Sequence, residues 1–149
     1  MRLPIQVLVY LANERGSDWE YLLLRRVPRI GGFWQGVTGA PEEGEGLAQA
    51  ARREVLEETG FSLDAVESIG YSYWFPVEDE WRHLYDPRVE KIVEHVFVAE
   101  AAGGEPRLSW EHDTWRWCTL EEATGLLKYP NNLEALRRCA SFLSNRAVR

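Results

Sequence analysis

The chain of 149 residues carries little with which to cross-link itself, enter a membrane or grip a polyanion. Its two cysteines, Cys118 and Cys139, make no disulfide framework, and neither has a second cysteine at metal-ligand spacing. No apolar run approaches the roughly 20 residues that span a bilayer. The opening "MRLPIQVLVYL" lacks the zoned pattern of a cleavable signal. A reducing, cytoplasmic setting without membrane attachment is expected. Basic residues are outnumbered, and the formal charge is −7. That balance argues against polymeric nucleic acid as a partner, because such binding needs a broad basic face that releases counterions. A small anionic substrate needs only a few local arginines or a divalent ion, so it stays open. Repeats, low-complexity tracts and linkers are also missing, and one domain over residues 1–149 is expected, long enough to bury a sizeable core.

What is present reads as mixed strands and helices. "IQVLVYL" (5–11) and "WEYLLLRR" (19–26) are strand candidates joined by the turn-rich "ANERGSD". The glycine-rich stretch that follows is loop, with a short strand at 34–38. A helix is expected at 47–59, stopped by Gly60, which takes the left-handed C-cap conformation readily. "AVESIGYSYWF" (65–75), "EKIVEHVFVAE" (90–100) and "TWRWCTL" (114–120) are further strands. The long loop at 76–88 between the first two is of the kind that is functional or disordered. Helices are expected at 120–127 and 131–145, the second amphipathic. The fold class is α/β, a mixed sheet covered by helices.

The stretch "GAPEEGEGLAQAARREVLEETGF" (39–61) holds glutamates at 42, 43, 45, 54, 57 and 58. On a helical wheel Leu47, Ala50, Ala51 and Val55 form the apolar stripe. A solvated acidic face belongs opposite that stripe. Instead Glu54 and Glu58 fall within about 20° of Leu47, Glu57 lies on the flank, and Leu56 points where charge belongs. Three carboxylates spaced i, i+3 and i+4 repel one another, and burial worsens this. A hard divalent ion with oxygen ligands is their natural partner. A helix end projecting into water past the core gives the same pattern.

Residues 39–61 resemble the Nudix box at every fixed position: Gly39, then Glu45, then Arg53-Glu54-Val55-Leu56-Glu57-Glu58-Thr59-Gly60-Phe61. The resemblance implies the Nudix fold, a mixed sheet sandwiched between helices, and metal-dependent hydrolysis of a phosphoanhydride in a small-molecule substrate. It makes Glu54, Glu57 and Glu58 ligands of Mg²⁺ or Mn²⁺, one of them orienting or deprotonating water. Arg53 and Glu45 orient those carboxylates, and Gly39 keeps the strand-loop-helix turn close.

"FWQGVTGAPEEGE", "WRHLYDPRVEKIVEHVF" and "EHDTWRWCTLEEATGLL" are similar to the Nudix branch of dihydroneopterin triphosphate pyrophosphohydrolases. This likeness implies cleavage of such a triphosphate to a monophosphate and pyrophosphate. It makes Glu111 a further metal ligand or base and places Arg25, Thr38 and Arg2 on the substrate. Arg25 fits a strand-end salt bridge equally well, and Thr38 a loop residue bonding its own backbone. Trp34 and Trp81 fit stacking on a flat ring or ordinary packing. Trp74, Trp115 and Trp117 are expected to pack in the core or on a sheet face, and His95 to be a strand-face residue. Within the same reaction class stand dinucleoside polyphosphate cleavage and removal of modified deoxynucleotides. Outside it stands a nucleotide-sensing module, which usually shows losses in the box; this box has none.

Overall fold

The computed structural model describes residues 1–147, so the last two residues of the expected domain lie outside it. A first hairpin is formed by β1 (Ile5–Arg15) and β2 (Asp18–Arg26), both longer than their apolar cores suggested. The polar "ANERGSD" is mostly strand, and only Gly16 and Ser17 turn. Gly16 takes φ +65° while Ser17 stays negative, the sign pattern of a type II′ turn. The polar strand ends are tied by cross-strand contacts, Asn13 Nδ2 to Glu20 at 3.0 Å and Arg15 to Glu20 at 3.3 Å.

The short strand expected at 34–38 is two strands with different partners. β3 (Trp34–Gln35) pairs with β2, and β4 (Val37–Gly39) pairs with β1. Gly36 makes the switch. A Cβ there would lie 2.8 Å from the Val9 carbonyl oxygen and 2.9 Å from the Tyr10 ring, so only hydrogen fits.

α1 (Leu47–Thr59) ends as expected at Gly60, φ +77°, whose N–H donates to the Leu56 carbonyl at 2.9 Å. Beyond it run β5 (Glu67–Pro76), β6 (Lys91–Glu100) and β7 (His112–Cys118). β7 stops two residues earlier than expected because Thr119 is the N-cap of α2 (Leu120–Leu126). Thr119 and Glu122 form a reciprocal capping box, at 2.9 and 3.1 Å. α3 (Pro130–Ala147) follows. The expected loop at 76–88 contains a 3-10 turn, Asp79–Leu84.

The sheet is mixed. β1 pairs in parallel with β6 and antiparallel with β2 and β4, β5 borders β6, and β7 borders β2. Strand alternation sends Val7, Val9, Leu11, Leu22 and Leu24 to one face, where Ala50, Ala51 and Val55 of α1 cover them. Leu8, Tyr10, Tyr21, Leu23, Val96 and Val98 face the other way, against α2 and α3. Trp115 and Trp117 pack at the margin of the α1 face. Trp74 does not enter the core. It is 58% exposed on β5, with the Lys91 ammonium 5.0 Å from its ring. Both cysteines are buried and free. No helix among the described residues is long and apolar enough to cross a membrane.

Candidate active site

α1 delivers its carboxylates where the wheel puts them. Leu56 is 51% exposed, whereas Glu58, two residues on, is 1% exposed among core residues. Glu54 is nearly buried and Glu57 half-exposed. A helix end standing in water is therefore excluded for Glu58.

Arg53 organises the acidic cluster. Its Nε and Nη2 make a fork onto Glu45 at 2.8 and 2.9 Å, its Nη1 donates to Glu54 at 2.9 Å and to Glu57 at 3.3 Å, and Nη2 also reaches the Ala40 carbonyl at 3.1 Å. The guanidinium holds Glu45 below the ordinary carboxylate range, and the carboxylates in turn raise Arg53. Lysine keeps the charge but not the planar fork. Arg53→Lys is expected to lower kcat about tenfold, with KM nearly unchanged. Steady-state kinetics on the purified variant check it.

Glu58 is unlike its neighbours. Both its oxygens are buried without a hydrogen-bond partner. Burial first, then Glu54 and the charge of Glu111, push its pKa well above 4.5, while Arg26 pulls it down. Burial likewise raises Glu54, against the pull of Arg53. His112 Nδ1 lies 3.8 Å from Glu58 Oε1, too far for a hydrogen bond, and is itself unpartnered. Burial holds the imidazole neutral, its pKa lowered to about 4.

Orphaned buried carboxylate oxygens mark a place for a cation, and an all-oxygen donor set suits a hard divalent one. Among the described residues no three His, Cys, Asp or Glu side chains form a ready-made metal cluster. Arg53 instead engages Glu54 and Glu57. Of the carboxylates expected to hold a metal ion, Glu58 presents the orphaned oxygens, and Glu54, Glu57 and Glu111 are the neighbours that would have to converge with it. Glu111 sits in the turn before β7, its carbonyl accepting the Val27 N–H at 2.9 Å, close enough to act on both Glu58 and Arg26. Gly39 lies against this cluster: a Cβ there would stand 2.1 Å from Glu54 Cδ.

A cavity of about 410 Å³ lies on the other side of Arg26 from these carboxylates, none of which lines it; Arg26 is the residue that faces both, lining the cavity and feeling the charges of Glu111 and Glu58. Thr38, 8% exposed, and Arg2 line it; Arg25 does not. Arg25 pairs with Asp113 at 2.9 Å and lies 5.9 Å from the Trp34 ring. Its neighbour Arg26 lines the cavity instead. A shift of register in the β2–β7 pairing falls between Arg25 and Arg26, with Asp113 the unmatched residue on β7. Trp81 and Tyr85 from the 76–88 loop reach the cavity, whereas Trp34 and His83 do not. The sequence reading missed Gln6, Tyr73, Glu94 and Asn132, all of which line it.

The NUDIX domain family matches residues 2–139. An octanoyltransferase of Myxococcus xanthus is 35% identical over 135 residues, covering 91% of this chain and 36% of that protein. This chain thus spans only about a third of that relative. The dihydroneopterin triphosphate diphosphatase of Escherichia coli K12 is 29% identical over 139 residues, with 91% of each chain covered. The solved structure of the E. coli dihydroneopterin triphosphate pyrophosphohydrolase superposes with a TM-score of 0.82 at 28% identity, over 93% of this chain and 96% of that one. With the family matched along nearly its whole length and the box carboxylates gathered at one end of α1, the chain belongs to the Nudix family, hydrolases that act on phosphoanhydride bonds.

Proposed function

We propose that the chain is a Mg²⁺- or Mn²⁺-dependent pyrophosphohydrolase of a nucleoside-triphosphate-like small molecule. Dihydroneopterin triphosphate is the leading substrate, released as its monophosphate and pyrophosphate. The observation that carries this reading is a single cavity lined by both aromatic rings and cations. Aromatic side chains such as Phe75, Trp81 and Tyr129 line the cavity, and so do the cations Arg2, Arg26 and Lys128. Arg26 also lies in the field of Glu58 and Glu111. A flat ring suits the aromatic side chains and a polyphosphate the cations. The likeness to the E. coli enzyme over 91% of both chains supports the pterin.

In this reading Glu54, Glu57, Glu58 and Glu111 hold the divalent ion, which when bound neutralises phosphate charge and acidifies water. Arg53 and Glu45 keep the carboxylates aimed. Arg26, Arg2 and Thr38 bind and orient the phosphate chain, and the buried Glu58 lies within a region screened from bulk water.

A competition assay with Mg²⁺, following products by mass, tests the proposal. It offers dihydroneopterin triphosphate, the common deoxynucleoside triphosphates and a diadenosine polyphosphate together. Strong preference for the pterin with pyrophosphate released is the expected result. Faster turnover of either competitor would overturn the pterin assignment. Ligand binding with no turnover of any of them would make the chain a sensor.

A further inference from the structure

Three adjacent strands place one polar row at the end of an otherwise apolar sheet face. Gln6 on β1 is the register partner of Glu94 on β6, and Glu94 is the partner of Tyr73 on β5. Beyond this row the same face continues with Leu8, Tyr10, Val96 and Val98 in the core. Glu94 is 2% exposed, yet it lines the cavity. A carboxylate at so buried a position is costly unless its oxygens are engaged.

The hydrogen bonds around Glu94 have a direction. Asn132 Nδ2 donates to the Tyr73 hydroxyl oxygen at 3.1 Å, which leaves the Tyr73 proton for Glu94 Oε1. The Gln6 amide donates to Glu94 Oε2. Tyr10 in turn donates to the Asn132 carbonyl at 2.8 Å, fixing the start of α3 beneath the row. Both neighbours of Glu94 are therefore donors, and the carboxyl faces the cavity as an acceptor with lone pairs to spare. Phe75 and Ile92, each two residues along from Tyr73 and Glu94 on the same faces of their strands, also line the cavity.

Resting on the reading that this cavity holds the heterocycle of the substrate, we propose that Glu94 is the specificity-determining residue. It accepts two adjacent N–H donors from a 2-amino-4-oxopyrimidine edge, the edge shared by pterins and guanine. Such an edge presents a ring N–H and an exocyclic amino group side by side, matching the two oxygens of one carboxylate. Hypoxanthine offers only the ring N–H. Adenine offers an amino group beside a bare ring nitrogen, whose lone pair faces the carboxylate and is repelled. Gln6 and Tyr73 act as positioning residues that keep both oxygens aimed.

The test is equilibrium binding, read from tryptophan fluorescence, of GMP, 1-methyl-GMP, IMP and AMP to the intact protein. These monophosphates carry no phosphoanhydride, so failure of the proposed hydrolysis leaves this readout standing. GMP is expected to bind about tenfold or more tighter than each of the other three, the order of one hydrogen bond to a charged acceptor. In Glu94→Gln, checked for folding by circular dichroism, the GMP preference over IMP and AMP should collapse to within about twofold, with AMP gaining. Binding of all four by the wild type within about twofold, or no binding of any, would overturn the proposal. So would a GMP preference that survives in folded Glu94→Gln. Should that variant not fold, the wild-type series alone decides, because 1-methyl-GMP and IMP each remove one donor without touching the protein.

Discussion

Glu58→Gln is expected to reduce turnover by about 10³-fold, the scale on which removing a group that stabilises transition-state charge is felt. The same change should not weaken the metal-free fold. Glu58 is buried with neither oxygen bonded, and burial with Glu54 and Glu111 nearby raises its pKa. A carboxyl raised in the folded state leaves stability intact below its unfolded pKa. That stability is lost as the pH climbs through the raised folded value. At neutral pH without metal the wild type therefore carries a penalty that glutamine lacks, and the variant should melt at an equal or higher temperature. Added Mg²⁺ should reverse the order, because it binds the native wild type and shifts its melting upward by mass action. Thermal melts with and without Mg²⁺, alongside a turnover assay, check all three parts. A metal-free Glu58→Gln protein that melts well below the wild type would show that Glu58 is held by contacts rather than tolerated.

Gly39→Ala ranks next, at about 10²-fold in kcat, because a misplacement of about 1 Å in a catalytic group costs on that order. The added methyl carbon would stand 2.1 Å from Glu54 Cδ, where ordinary contact begins at 3.4 Å. The obstructing atoms belong to the end of a flexible side chain, so Glu54 is displaced while the backbone stays. Kinetics should thus suffer far more than stability. A rise in the Mg²⁺ concentration at half activity, with melting temperature within about 2–4 °C of the wild type, is the expected signature. A large fall in melting temperature with normal kinetics would place the role of Gly39 in the fold alone.

The α1 site was legible because a helix repeats locally: the wheel alone brought Glu54 and Glu58 under the apolar stripe, and Glu58 is buried there. Strand sites are harder, since neighbours come from distant sequence. Arg25 and Arg26 are adjacent and chemically alike, and the partners that distinguish them, Thr114 and Asp113 for Arg25 and His112 for Arg26, lie almost 90 residues away. The row of Gln6, Tyr73 and Glu94 exists only once three strands are aligned. One flag was nevertheless readable. In "KIVEHVFV" Glu94 shares the alternation of Ile92, Val96 and Val98, and a lone acid on a buried parity asks for a partner or a ligand. The polar "ANERGSD" misled for the converse reason, because its strand ends are exposed and held by side-chain pairs rather than by apolar burial.

The parallel pairing of β1 with β6 also sets an order of events during synthesis. Ile5 is matched with Val93, and Ala12 with Glu100, so one whole edge of β1 has no permanent partner until the polypeptide has grown through residue 100. The hairpin with β2 closes locally and early, but the run from Val7 to Ala12, fully buried in the finished protein, stays open along its other side. Such distant pairings slow folding, because a long loop must close before any contact rewards it. The nascent chain therefore keeps a segment destined for complete burial open along one side for much of its synthesis, and exposed apolar surface of that kind is what favours aggregation.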